Sequence, residues 1–532
     1  MRALYVLLLA AASLAAQPCT VEGKVTNTLT GRPVAGATVT LRGTIRSGNP
    51  PQVDSYVTAT DAQGHYRIQG LPPGRYDASA SHEGFIARRP ADAAIPPPLT
   101  LAAGQHAVAA LQLTPTGVIS GRTVDQDGDP VRGVTVEAAQ YLYSSGRREL
   151  MNRAGTRSND LGEYRLAGLA PGAYYLRATS PPSPDLAVLN QQVRGPRPPE
   201  GYGVTYYPSA ADAAQTAPLE VAAGAELRDV EIRLRPQMLY SVRVKFTRAA
   251  PGLMPNILLL GGSSRYQGGI RFSQNDSMVF VGVAPGSYTV TAADADPDHP
   301  GRQRYARAPV EVVDSDVEIA ELNFVPGLDV SGAVKVSGDL PFSTEKLRVT
   351  LTPGGRNMGS PPASVVSPDG SFVLRDVAPG PYELRLIVPA GAYLRTLKLG
   401  DRELPDQHLD LSGAGGALTI LLATDGGEID GSVQNAKGEP APRLRVTLAP
   451  DGRLRDRDNL VRGGVADDEG NFKLRDIQPG DYRLFAWEDA EPGAPQDPEF
   501  RKPFEPQSIA VKVEPSSRQS LHLKAITTHE TR

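Results

Sequence analysis

GKVTNTLTGRPVAGATVTL, residues 23–41, and DAQGHYRIQGLPPGRY, residues 61–76, decide the fold of this chain. Val39 and Leu41 alternate with polar residues after the Gly31-Arg32-Pro33 turn, and Tyr66 and Ile68 alternate after the turn Asp61 to Gly64. Alternation with a period of two marks a strand buried on one face. Asp caps a tight turn with its own side chain and Gly supplies the positive φ, so each run is bounded by hairpin chemistry. Pro73-Gly74 then turns the chain again, and Tyr76 opens the next strand with its ring inward.

The same grammar recurs along the chain. Pro-Gly-x-Tyr ends at Tyr76, Tyr174, Tyr288, Tyr382 and Tyr482, at intervals of 98, 114, 94 and 100 residues. Before each stands a turn and an aromatic-x-aliphatic pair: Asp160 to Gly162 with Tyr164 and Leu166, Asp369-Gly370 with Phe372 and Leu374, Asp468 to Gly470 with Phe472 and Leu474. The third copy is degenerate, with Met278 and Phe280 in the paired positions. About fifty residues earlier, four units open with an aliphatic-x-Gly strand, at Gly23, Gly121, Gly332 and Gly431. Each unit ends in further alternating strands, such as Leu219/Val221 and Val230/Ile232/Leu234. Strands this short, at roughly seven per hundred residues and without a long amphipathic helix, predict an all-β protein of tandem sandwiches.

In order, the elements G-x-V, G-x-P-V-x-G-x-x-V-x-L, D-x-x-G-x-Y-x-I and L-P-P-G-x-Y, nearly complete in Gly23 to Tyr76, resemble the carboxypeptidase regulatory-like family. Units two and five are similar throughout, unit four less so, and unit three only in its second half. The resemblance implies about five seven-stranded Greek-key sandwiches of transthyretin-like type, a fold grouped with carbohydrate-binding-like folds. It does not imply peptidase activity, because the module accompanies the catalytic domain. The expected division is a signal peptide at 1–16, then sandwiches at 17–115, 116–236 with a Pro- and Tyr-rich insertion, 237–326 (divergent), 327–424 and 425–532. Short links such as Thr114-Pro115-Thr116 and Val325-Pro326-Gly327 favour a semi-rigid rod.

Composition sets the outer bounds. Gly and Pro make up about 19% of the 532 residues, above a typical ~12%, which suits many tight turns. A net charge of −4 gives no electrostatic reason to expect nucleic acid as a partner. Arg2, the apolar run Ala3 to Ala12 and the small residues Ser13 and Ala15 read as an export signal cleaved at Ala15 or Ala16. No second apolar run is long enough to span a bilayer, so the chain is expected in the periplasm or outside the cell. Cys19 is the only cysteine, which rules out an internal disulfide, and Pro18 before it makes a poor lipoprotein signal.

No catalytic motif emerges. None of the seven histidines has an acid three residues on or a second histidine at His-x-x-x-His spacing, so zinc hydrolysis is not expected. Gly261-Gly262-Ser263-Ser264 fails the nucleophile-elbow pattern, and there is no phosphate loop. Asp125, Asp127 and Asp129 resemble half of a calcium loop, but Pro130 and Val136 occupy the positions that need Gly and Glu. The cluster therefore reads as a hairpin turn. Asp294, Asp296 and Asp298 alternate similarly. Some related sandwich modules carry Lys–Asn isopeptide bonds, but unit two has no lysine and unit one no asparagine after Asn49. No cofactor and no metal are expected. One ligand surface stands out: Tyr141, Tyr143, Tyr202, Tyr206 and Tyr207, whose rings could stack on sugar faces or simply pack the core. The expectation is an exported, non-catalytic scaffold or adhesion-type protein with an unidentified protein or polysaccharide partner. A carbohydrate-binding protein and an accessory subunit of an envelope transporter or peptidase are the alternatives.

Overall fold

The structure is a computed structural model that describes residues 17–528 except 44–53, 88–97, 145, 181–199, 250–252, 262–263, 266–268, 274–275, 354–361, 414–415 and 456. The leader expected over residues 1–16 and most of the unit-two insertion lie outside the described residues.

One pairing rule builds every unit. The opening strand pairs antiparallel with the strand that carries the aromatic-x-aliphatic pair, and parallel with the strand that closes the unit. In the first unit Cys19–Asn27 lies between His65–Leu71 and Leu111–Pro115. Gly117–Val124 in the second unit lies between Glu163–Leu169 and Glu226–Arg233. Tyr240–Phe246, Leu328–Ser337 and Gly427–Gln434 repeat the arrangement in units three to five. A second sheet, such as Ser55–Ala59, Thr38–Gly43, Gly74–Ser81 and Leu99–Leu101, covers the first. In unit five the closing strand Arg518–Ile526 also pairs with Gly480–Trp487, so both layers join into one seven-stranded sheet. Five separate apolar cores fill the sandwiches among the described residues. The chain is an all-β array of tandem sandwich units. Cys19 sits in the first core, its thiol donating to the Ala102 carbonyl at 2.9 Å.

The recurring residues have recurring reasons. Every Pro-Gly-x-Tyr hydroxyl donates back to the carbonyl four residues earlier: Tyr76 to Pro72, Tyr174 to Ala170, Tyr288 to Ala284, Tyr382 to Ala378 and Tyr482 to Gln478, at 2.7, 2.8, 2.9, 2.8 and 2.7 Å. The ring fills the core while its polar tip pins the turn that precedes it, a corner of the kind known from other sandwiches. The opening-strand glycines make room. A Cβ on Gly23, Gly121 or Gly431 would stand 1.9, 1.9 or 1.8 Å from the carbonyl oxygen of Ala109, Val230 or Leu521. No side chain fits there.

Unit three lacks that glycine yet forms the same strand. In units one, two, four and five the glycine lies opposite Tyr66, Tyr164, Phe372 or Phe472. In unit three the facing pair is Val244 and Met278, both buried. Volume has moved from one strand to the other, and the core stays filled.

A second position varies in a similar way. One residue before the end of each aromatic strand the ladder slips by a residue and the backbone turns left-handed. Gly70, Gly168 and Gly282 adopt φ of 79°, 75° and 84° there, whereas units four and five hold Asp376 and Asp476 at 57° and 54°. Both aspartates reach the preceding unit. The Asp376 carboxylate accepts from the Gln303 N–H at 3.2 Å, and Asp476 accepts from the Gly391 N–H at 3.0 Å. Arg302 adds a 2.6 Å bond to Asp329 across the same junction. The Val325-Pro326 link is itself a short strand paired with Arg304 and Tyr305.

The sequence also carries features that only the coordinates place. Unit five contains a helical insertion, Ala494–Gln496, Pro498–Arg501 and Lys502–Gln507, that the sequence reading leaves out. Its Phe500 and Phe504 close over Trp487 and Phe485 to make a small second core. The hairpin of unit two reaches this insertion through Tyr143, so units two and five touch, which a straight rod would not allow.

Candidate functional site

The five tyrosines singled out in the sequence do not form one row. Tyr141 and Tyr143 lie on Thr135–Ser144, which makes a long hairpin with Arg147–Arg157. Tyr141 meets Tyr175 edge to face at 5.2 Å, and the Arg148 guanidinium lies over the Tyr141 ring at 5.1 Å. Residues directly opposite on antiparallel strands share a face. Ala139 is opposite Tyr175, and Arg177 is opposite Tyr206, so Tyr141, Tyr175 and Tyr206 all stand on the outer face of this sheet. Between them Arg177 grips Glu137 through Nε and Nη2 at 2.9 and 2.6 Å. Tyr175 is the ring that sequence reasoning missed. Its signal was its place beside Tyr174, because one of two adjacent strand residues faces outward.

Two of the five turn the other way. Tyr202 and Tyr207 pack against the core of unit two. Tyr202 belongs to Glu200–Tyr202, paired with Pro236–Met238, and so ties the insertion to the start of unit three. Burial pushes its hydroxyl pKa up, aided by Asp125, Asp127 and Asp129 nearby. Burial pushes Tyr164 up as well, with Tyr207 contributing. Tyr143 is spent on Phe500, with ring centroids 5.9 Å apart. The outer face of unit two therefore presents Tyr141, Tyr175 and Tyr206.

The acidic clusters act as turns. Asp125 Oδ1 accepts from the N–H groups of Asp127 and Asp129 at 2.9 Å each. Asn27 and Asn435 cap the equivalent turns of units one and five. Asp294 is paired with Arg304 at 2.8 Å, and Asp296 accepts from the Asp298 N–H and meets His299, both at 3.0 Å. Among the described residues no three His, Cys, Asp or Glu side chains gather as metal ligands. Ser432 and His522 share a 2.8 Å hydrogen bond across parallel strands, but on an exposed face and, among the described residues, without a carboxylate bonded to the imidazole. Among the described residues no helix is long and apolar enough to cross a membrane.

Comparison with known proteins gives one family. Residues 20–114 and 118–190 match the carboxypeptidase regulatory-like domain. No curated protein matches the chain. Among solved structures, a Streptococcal ancillary pilin is 16% identical with a TM-score of 0.24 and covers 42% of this chain, which spans 64% of that one, under two thirds. GBS52, the minor pilin of Streptococcus agalactiae, is 14% identical with a TM-score of 0.23, covering 41% of this chain and 95% of its own. BcpA, the major pilin subunit of Bacillus cereus, is 10% identical with a TM-score of 0.15, covering 96% and 99%. At such scores whole chains do not superpose, and the likeness carries nothing about function.

Proposed function

We propose that this chain, which matches the carboxypeptidase regulatory-like domain over residues 20–114 and 118–190, is an exported, non-catalytic scaffold that holds its units at set angles to present surfaces to another macromolecule. One observation carries the reading: successive units are joined by specific hydrogen bonds, not only by tethers. Asp376 and Asp476 each take a backbone N–H of the preceding unit, and the Tyr393 hydroxyl donates to Asp425 at 2.9 Å where units four and five meet. A chain whose work is spacing gains from such contacts, because a flexible link would blur the distance it sets. The apolar leader supports export. Small-angle scattering of the full chain is expected to give one narrow distance distribution, and fractionation of a tagged chain is expected to place it beyond the cytoplasmic membrane. A broad, freely jointed profile or a cytoplasmic location would overturn the reading.

A carbohydrate-binding role has one observation in its favour, the outward rings of Tyr141, Tyr175 and Tyr206 around the Arg177–Glu137 pair. Binding of a polysaccharide panel that disappears in Tyr141→Ala and Tyr206→Ala would support it. Tyr202 and Tyr207 are unsuited to that test, since their loss would open the unit-two core.

A further inference from the structure

Where unit four meets the outer face of unit three, a cleft of about 820 Å³ opens, within the usual size of small-ligand sites. Its floor is a ladder across three strands, Asn256–Gly261, Gly286–Ala295 and Gln303–Val312. Register sets Asn256, Ala293 and Tyr305 in one row, Leu258, Thr291 and Arg307 in the next, and Leu260, Thr289 and Pro309 in a third. The opposite wall is the Pro379-Gly380-Pro381 turn of unit four, with Pro353 and Ser412. Leu258 is 5% exposed although it belongs to the outer face and not to the unit-three core. The cleft is thus a sheet face partly roofed by its neighbour.

Some of its polar groups bond within the protein, such as Ser287 to Glu311, but five do not. Among the described residues the side chains of Asn256, Thr289, Thr291, Asn323 and Arg307 have no hydrogen bond or ion pair, and all five line the cleft. Two amides, two hydroxyls and one guanidinium thus stand on a floor of Leu258, Leu260, Pro309 and the Tyr305 ring. Apolar strips beside neutral donors and acceptors match a ligand with C–H faces and hydroxyl edges. The charge count narrows the class. Arg307 is the cation of the floor, and it is offset by Asp410, whose carboxyl it helps to hold low, and by Glu311 on its own strand, whereas a phosphorylated ligand calls for several cations. A lipid would leave the threonines and asparagines desolvated without partners. An added peptide strand needs a free sheet edge, and the cleft offers a face.

We propose that the cleft between units three and four binds a neutral oligosaccharide, at a site separate from the tyrosine face of unit two. Asp376 sets the mouth: it fixes Gln303, and its carbonyl accepts from the Tyr305 hydroxyl at 3.1 Å. The test is isothermal titration of the full chain with cellohexaose, chitohexaose, maltohexaose and mannohexaose. At least one is expected to bind saturably. Asn256→Leu with Thr291→Leu should weaken that binding at least tenfold, and Arg307→Ala, at an exposed position, should weaken it severalfold. Tyr141→Ala should leave it unchanged, and melting curves of all variants should overlay that of the parent. Failure of all four hexaoses to bind overturns the proposal. Binding that survives the cleft variants, or that is lost with Tyr141→Ala, also overturns it, and the latter result moves the site to unit two. The scaffold reading stands or falls separately, on scattering and location.

Discussion

Unit three and its four companions solve the same packing problem with opposite residues. The companions put glycine on the opening strand and a large ring across from it. Unit three puts Val244 on the opening strand and Met278 across from it. The bulge position shows the same logic: glycine in units one to three, where its conformation is the only requirement, and aspartate in units four and five, where the carboxylate also holds the previous unit. A left-handed aspartate costs about 1 kcal/mol of backbone strain, which the junction bonds offset. Each departure from glycine comes with a partner that accounts for it.

The comparison can be broken most sharply at the opening strand. Gly121→Val places a side chain where the Val230 carbonyl already stands, and is expected to cost unit two about 3 kcal/mol or more. Calorimetry should show that unit's transition falling while the others hold. The mirror change, Val244→Gly, should cost unit three about 2–3 kcal/mol through a cavity and added backbone freedom. Adding Met278→Tyr should recover at least half of that loss. If the double variant is no better than Val244→Gly alone, the volume-exchange account of unit three is wrong.

Smaller effects separate the corner tyrosines from the ring opposite the glycine. Tyr174→Phe keeps the packing and loses the bond to Ala170, so a loss of about 1 kcal/mol is expected in denaturant titration. Tyr66 also donates to a strand carbonyl, that of Ala109, and burial pushes its pKa up to about 12 from 10.0. A raised acid pKa means that the folded state keeps a proton the unfolded chain gives up. Its contribution is therefore whole below pH 10 and is lost as pH rises towards 12. Tyr66→Phe should flatten the alkaline fall in unit-one stability, and units four and five, with Phe372 and Phe472 at that position, should lack this contribution.

The smallest change in stability is expected at the latches. Asp376→Gly and Asp476→Gly relieve strain and remove one contact each, so melting should move by no more than about 0.5 kcal/mol. The scattering profile should broaden nonetheless. A profile unchanged in the double variant would show that the junctions are held without these carboxylates.

Much of this was legible because it is local. Hairpin turns, alternating strands and the Pro-Gly-x-Tyr corner depend on residues a few places apart, and so they show as a repeat. Even there the reading slipped by a residue. The turns before Tyr164 and Phe472 look capped by Asp160 and Asp468, but Asn159 and Asp467 hold the N–H groups two and four residues on. Hairpin closure favours the first acceptor of the turn, which adjacent Asx residues conceal. The tyrosine patch was less legible. Inward and outward tyrosines look alike in sequence, and what separates Tyr206 from Tyr207 is which of them meets the unit-two core.

By itself the sequence determined the all-β class, the repeat and its turns, because period-two burial and positive φ are set by near neighbours along the chain. Tertiary structure alone decided that Val244 could replace a glycine, that Asp376 and Asp476 latch one unit to the next, and that a cleft lies between units three and four. Those outcomes depend on atoms brought together from tens to hundreds of residues apart, and no local pattern records which carbonyl, ring or amide will stand opposite.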